Sequence, residues 1–137
     1  MTTMDDMMKA MPMQDMATMP MMDMTMMQEC IEACSACMQA CTMCSDAMAG
    51  MEGMGVCASR CAMCASMCQT MMTAMMRPMG MEPTSMMAML EACMAVCKAC
   101  MDECLTHADM SETCRMCAMA CEACMKACES MLMAMKA

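Results

Sequence analysis

Cysteine recurs along this chain in four blocks at alternating steps of four and three residues, with charged and amide side chains filling the positions between. That alternation is the period of one face of an α-helix. The blocks are Cys30, Cys34, Cys37, Cys41 and Cys44; Cys57, Cys61, Cys64 and Cys68; Cys93, Cys97, Cys100 and Cys104; and Cys114, Cys117, Cys121, Cys124 and Cys128. Each predicts an amphipathic helix whose thiols form one stripe, in the place where a bundle helix normally carries leucine and isoleucine. Glu29, Glu32, Gln39, Lys98, Asp102, Arg115, Glu122, Lys126 and Glu129 fall off the stripe and read as solvated surface.

The helices expected from this pattern run over about 23–49, 54–76, 85–107 and 111–135. The first stops in the glycine cluster Gly50, Gly53 and Gly55, and the second before Pro78, which pushes Arg77 out of helical geometry. Pro83, Thr84 and Ser85 open the third, while Asp109 with Glu112, or Ser111 alone, can cap the fourth. Short connections favour antiparallel neighbours. The predicted fold is therefore all-α, an antiparallel up-down-up-down four-helix bundle over residues 22–137 with a cysteine-lined core. Residues 1–21 are a separate methionine-rich segment interrupted by Pro12 and Pro20, expected to be disordered or a short helix. The two halves, each a pair of ladders, flank the stretch RPMGMEPTS and read as a duplicated helical hairpin.

Composition changes this picture in one respect. The 137 residues suit one domain, but the apolar content is largely methionine (38) and cysteine (18), without Phe, Tyr or Trp. A core lacking large rigid side chains is expected to be marginal when empty. The formal net charge of −9 argues against nucleic acid or an anionic membrane surface and suits a cationic ligand. No uninterrupted apolar run reaches the ~18 residues of a membrane span. The opening MTTMDDMMKAMPMQ lacks the basic and hydrophobic regions of a signal peptide. The compartment expected is the cytoplasm if the chain is full length, and the periplasm if a signal has been removed.

The thiols point to metal. Neighbouring Cβ atoms on one helix face lie roughly 5–6 Å apart, too far for a disulfide, which wants about 3.5–4.5 Å. A sulfur–metal–sulfur bridge spans roughly 4.6 Å if the zinc–thiolate bond length sets the scale. Zinc knuckles place their C-x-x-C pairs on tight turns, whereas these pairs lie within helices. The bacterial iron–sulfur run C-x2-C-x2-C-x3-C-P is missing. Copper(I) fits best: it is soft, selected by thiolate and thioether ligands, and accepts two- or three-coordinate sites. Another soft metal, or a structural or redox role, remains open. One monovalent ion per thiolate leaves a buried core near neutral, so the capacity expected is about eighteen ions or more, in a tube roughly 15–20 Å long.

Extending the stripes locates the two ends of that tube. Met48, Met51, Met54, His107 and Met110 meet at one end as a candidate mouth, where weak neutral ligands accept copper from a donor and pass it inward by ligand exchange. At the other end Met27, Met71, Met75, Met86, Leu90, Met131 and Met135 read as adaptable packing. In the lead-in, Met4, Met7, Met8, Met11, Met13, Met16, Met19, Met21, Met22 and Met24 either gather copper weakly or belong to a tail without that role.

The repeated C-x3-C-x2-C-x3-C ladders, together with a lone histidine at one end, resemble the bacterial copper storage proteins. The resemblance covers about residues 23–137. It implies that all eighteen cysteines bind copper(I), that Met and His residues guard one opening, and that the protein is a homo-oligomer, often a tetramer. The methionine excess departs from the family pattern. With one histidine that has no assigned base partner, and no phosphate loop, no catalytic constellation is visible. The expected role is a copper store exchanging ions with a donor or acceptor, and not an enzyme. Its rivals are a carrier or detoxifying buffer, and a thiol redox protein.

Overall fold

The computed structural model describes residues 24–137. The methionine-rich lead-in lies outside the described residues. Four helices follow one another: α1 (Met24–Met48), α2 (Gly55–Met75), α3 (Pro83–Leu105) and α4 (Glu112–Lys136), with a single 3-10 turn at Pro78–Gly80. The all-α bundle read from the cysteine period is the observed fold.

Local chemistry sets the helix ends. After α1 the chain reverses through Gly50 and Gly53, each at φ +79°, a left-handed conformation that side chains with a Cβ rarely adopt. The third helix starts at Pro83 because the Glu82 carboxylate caps it, accepting from the backbone N–H groups of Thr84 (2.7 Å) and Ser85 (3.2 Å). It ends at Leu105, two residues short of His107. Residues 106–110 form a turn held by the His107 N–H donating to Cys104 O (3.0 Å) and the Ser111 N–H donating to His107 O (2.9 Å). His107 therefore sits on a turn instead of completing the α3 stripe. The Ser111 hydroxyl then caps α4, accepting from the Cys114 N–H at 3.2 Å.

Each helix packs on two neighbours, α1 on α2 and α4, and α3 on α2 and α4. Facing thiols show that these neighbours run antiparallel: Cys30 meets Cys128 and Cys44 meets Cys114, while Cys57 meets Cys104 and Cys64 meets Cys97. The Ser45 hydroxyl adds a clamp between α1 and α2, donating to Ala58 O at 2.9 Å. All eighteen cysteines are at most 1% exposed, and no polar or charged side chain among the described residues is buried with them. By length and composition α3 could cross a membrane. In the bundle it buries its cysteine stripe and turns Lys98 and Asp102, paired at 2.8 Å, outward.

Ser111→Ala removes the only side-chain cap of α4 and is expected to lower the stability of the reduced, metal-free protein by about 1 kcal/mol. Guanidinium unfolding followed by helical circular dichroism checks this. An unchanged midpoint would show that the Cys114 N–H finds another acceptor.

Candidate metal centre

The ladders meet in register because their spacings match. Read along α1 the cysteine steps are four, three, four, three, and read backward along α4 they are the same. Antiparallel packing thus sets Cys30, Cys34, Cys37, Cys41 and Cys44 against Cys128, Cys124, Cys121, Cys117 and Cys114, with sulfur separations of 3.8, 3.7, 3.9, 3.6 and 3.9 Å. The steps on α2 and α3 read the same in both directions, and Cys57, Cys61 and Cys64 face Cys104, Cys100 and Cys97 at 3.9, 3.7 and 3.7 Å.

Sulfur also fills the bundle axis. Diagonal contacts join α2 to α4 through Cys57–Cys114 (3.8 Å), Cys61–Cys117 (3.9 Å) and Cys68–Cys124 (3.8 Å), and α1 to α3 through Cys41–Cys100 (3.9 Å). Larger core side chains would hold the helices too far apart for such contacts. All eighteen thiols are free, and their separations greatly exceed a disulfide bond of about 2.05 Å.

Groups of four thiols lie with every sulfur within 4.8 Å of the others: Cys34, Cys93, Cys124 and Cys128; Cys37, Cys64, Cys68 and Cys97; Cys37, Cys41, Cys64 and Cys121; Cys41, Cys100, Cys117 and Cys121; and Cys44, Cys61, Cys104 and Cys117. Each group draws on at least three helices. Pairs confined to one helix therefore do not by themselves exclude zinc, since four sulfurs can close a tetrahedron between helices. What separates the metals is sharing and charge. Cys37, Cys41, Cys64, Cys117 and Cys121 each belong to two of these groups. A divalent ion in every group would need the same thiolate twice, whereas monovalent ions bridged by shared sulfurs balance one thiolate each. Separations of 3.6–4.0 Å suit this, because a three-coordinate ion with metal–sulfur bonds of about 2.3 Å wants sulfurs roughly 4.0 Å apart.

The thiols differ in acidity. Burial pushes Cys57 up to about 12, with repulsion from Cys104 adding to it, and burial likewise raises Cys44, helped by Cys117. Cys30 is lowered to about 4, because Cys128 and then Cys34 hydrogen-bond to its sulfur. The empty core is thus a hydrogen-bonded thiol network in which some sulfurs accept while others keep their protons.

At the candidate mouth, Met48 and Met54 are buried, and the Met48 thioether accepts from the Cys114 thiol at 3.7 Å. His107 is largely covered, its side chain 17% exposed, with Nε2 4.0 Å from Glu103 Oε1. Met51 and Met110 point to solvent, at 51% and 79% exposed. The mouth thus divides into two thioethers in the core, an imidazole at the rim and two thioethers outside. Sequence reasoning missed Glu103 as the partner of His107, although their i, i+4 spacing was readable. At the far end Met27, Met71, Met75, Met86, Leu90 and Met131 are buried and Met135 is partly covered.

A four-helix tube lined by clustered thiols, with no polar or charged side chain among the described residues buried beside them, defines a protein that holds many soft monovalent ions. The family model for copper storage proteins matches residues 23–133. The chain belongs to the copper storage protein family. Among solved structures, a histidine-to-alanine variant of Ccsp from Streptomyces lividans is 39% identical, covers 82% of this chain and 97% of its own, and superposes with a TM-score of 0.79. Ccsp from the same organism loaded with 10 copper equivalents is 37% identical over 88% of this chain and 96% of that one, at a TM-score of 0.79. A further structure, described as a cytosolic copper storage protein with five coppers, is 39% identical over 80% and 93%, at 0.77. No curated protein matches the chain.

A thiol held near 12 is protonated at neutral pH and must lose its proton to bind metal. Loading is therefore expected to release protons, and affinity at the Cys57 end to fall as pH falls, by about tenfold per pH unit for each proton displaced. Copper titrations against a chelator at pH 6 and pH 8, corrected for the chelator's own protonation, measure it. Equal affinities would mean that these thiols are already ionised.

Proposed function

We propose that the protein stores copper(I), holding about eighteen ions or more per chain on the thiolates of the four ladders. The observation that carries this reading is the clustering of eighteen free, buried thiols in one core, with no polar or charged side chain among the described residues buried beside them. Each entering ion replaces a thiol proton, so the core fills without accumulating charge. A thiol redox cycle needs accessible, reactive sulfur, and thiols at most 1% exposed do not suit one. The role proposed is binding without catalysis, with copper received from a donor and surrendered to an acceptor.

The mouth is assigned to the end carrying Met48, Met54 and His107. Met51 and Met110, exposed beside it, offer thioethers to arriving ions, and Met48 lies in contact with the terminal thiol Cys114. Neutral ligands of this kind hold copper(I) weakly enough to pass it on. The compartment proposed is the cytosol, supported by the relative described as cytosolic and by the need to keep eighteen thiols reduced. The assembly proposed is a homo-oligomer, supported by apolar side chains exposed on the outer helix faces, among them Met43, Val56, Met63 and Met119.

Anaerobic titration of the reduced protein with copper(I) against a chromophoric chelator is expected to show about eighteen or more tightly held ions per chain. Retention of one to four would sink the storage reading and favour a carrier. H107A is expected to slow uptake several-fold in stopped-flow mixing while leaving that number almost unchanged. Loss of many ions instead would make His107 part of the scaffold.

A further inference from the structure

The sulfur ladder does not end with its last cysteines. At the end of the bundle away from His107, the antiparallel register that sets Cys30 against Cys128 sets Met27 against Met131 one step further out. The register of α2 and α3 likewise brings Met71 opposite Leu90, and then Met75 opposite Met86. Met27, Met71, Met75 and Met131 are at most 3% exposed and share one continuous core with the thiols. Of the four stripe positions in the layer next to the thiols, three are methionine, and Leu90 shows that leucine is accommodated there too. At the opposite end, the 3.7 Å contact between Met48 and Cys114 shows a thioether directly extending the thiol array.

We propose that this far end is a second, mixed copper(I) site, in which one thioether, drawn from Met27, Met71 and Met131, supplies the third ligand of an ion held by Cys30 and Cys128. The proposal rests on the storage reading and deepens it by assigning ligands beyond the cysteines. The two thiols are 3.8 Å apart, close to the separation of roughly 4.0 Å that a three-coordinate ion requires with bonds of about 2.3 Å. They lie in the last thiol layer, so sulfur further along their stripes can come only from methionine. Charge also balances: the ion displaces one thiol proton to solvent as its bond to sulfur forms, the neutral thioether releases nothing, and no electron moves.

The test compares the full-length protein with M27L/M71L/M131L by anaerobic copper(I) titration against the same chelator. Methionine-to-leucine exchange conserves volume and apolarity, so matching apo melting curves are the check that the fold survives. The variant is expected to retain at least one ion fewer per chain, or to hold its most weakly bound ion at least tenfold less tightly. Equal number and affinity would overturn the proposal and leave these methionines as packing. Should the variant fail to fold, methyl NMR of 13C-methionine-labelled wild-type protein decides, with assignments from single leucine variants. A large shift of at least one of the Met27, Met71 and Met131 methyl signals on loading is expected, and unshifted signals overturn the site. If the wild-type chain itself retained only one to four ions, the storage reading would fall first, which keeps the two failures distinct.

Discussion

A thiolate taken out of water is strongly destabilised unless hydrogen-bond donors or a cation lie against it, and among the described residues no lysine, arginine or histidine is buried in this core to serve. Its sulfurs therefore have two stable conditions: hydrogen-bonded to one another, with neighbouring thiols donating to a sulfur such as Cys30 whose pKa is lowered, or bridged by metal. The empty protein takes the first, with sulfur contacts of 3.6–4.0 Å running the length of the bundle. Metal converts one to the other with little movement, since those distances already match the edges of a low-coordinate sulfur site. Ion valence, the exchange of protons for metal and the tie between capacity and cysteine number all follow from this one electrostatic requirement.

Helix geometry makes such density possible. Cysteine is short enough for sulfurs to touch across the diagonals as well as between neighbours, and the alanines flanking the stripes leave room for close approach. The cost is a core without the large rigid groups that usually stabilise a domain of this size. Buried methionine at both ends and the caps at Glu82 and Ser111 offset part of it. Bound metal adds the rest by mass action, because ions that bind only the folded state stabilise it. Stability and cargo are thus linked in a way that a leucine core would not permit.

Much of this was legible in the cysteine spacing, which names the helices, their inward faces and the metal chemistry. The mirror relation between the α1 and α4 steps also carries the register, since only antiparallel packing aligns every layer. Helix ends were less legible. The third ladder, continued by period alone, reaches His107, yet the turn over residues 106–110 takes that residue off the helix. Met51 and Met110 fall beside Met48 and Met54 when the stripes are extended, but residues in connections do not follow a helical wheel, and these two turn outward. A helix wheel also does not reveal tetrahedral groups assembled from several helices, so ion charge, not helix placement, separates copper(I) from zinc here.

The shared sulfurs have an evolutionary consequence. In a conventional metal site every ligand is indispensable, so losing one abolishes function and natural selection sees only presence or absence. Here Cys37, Cys41, Cys64, Cys117 and Cys121 each belong to two overlapping groups, and an ion deprived of one sulfur retains others nearby. Such an array degrades and grows by small steps. Lineages can adjust how much they hold by gaining or losing single cysteines along a stripe, without passing through an inactive ancestor.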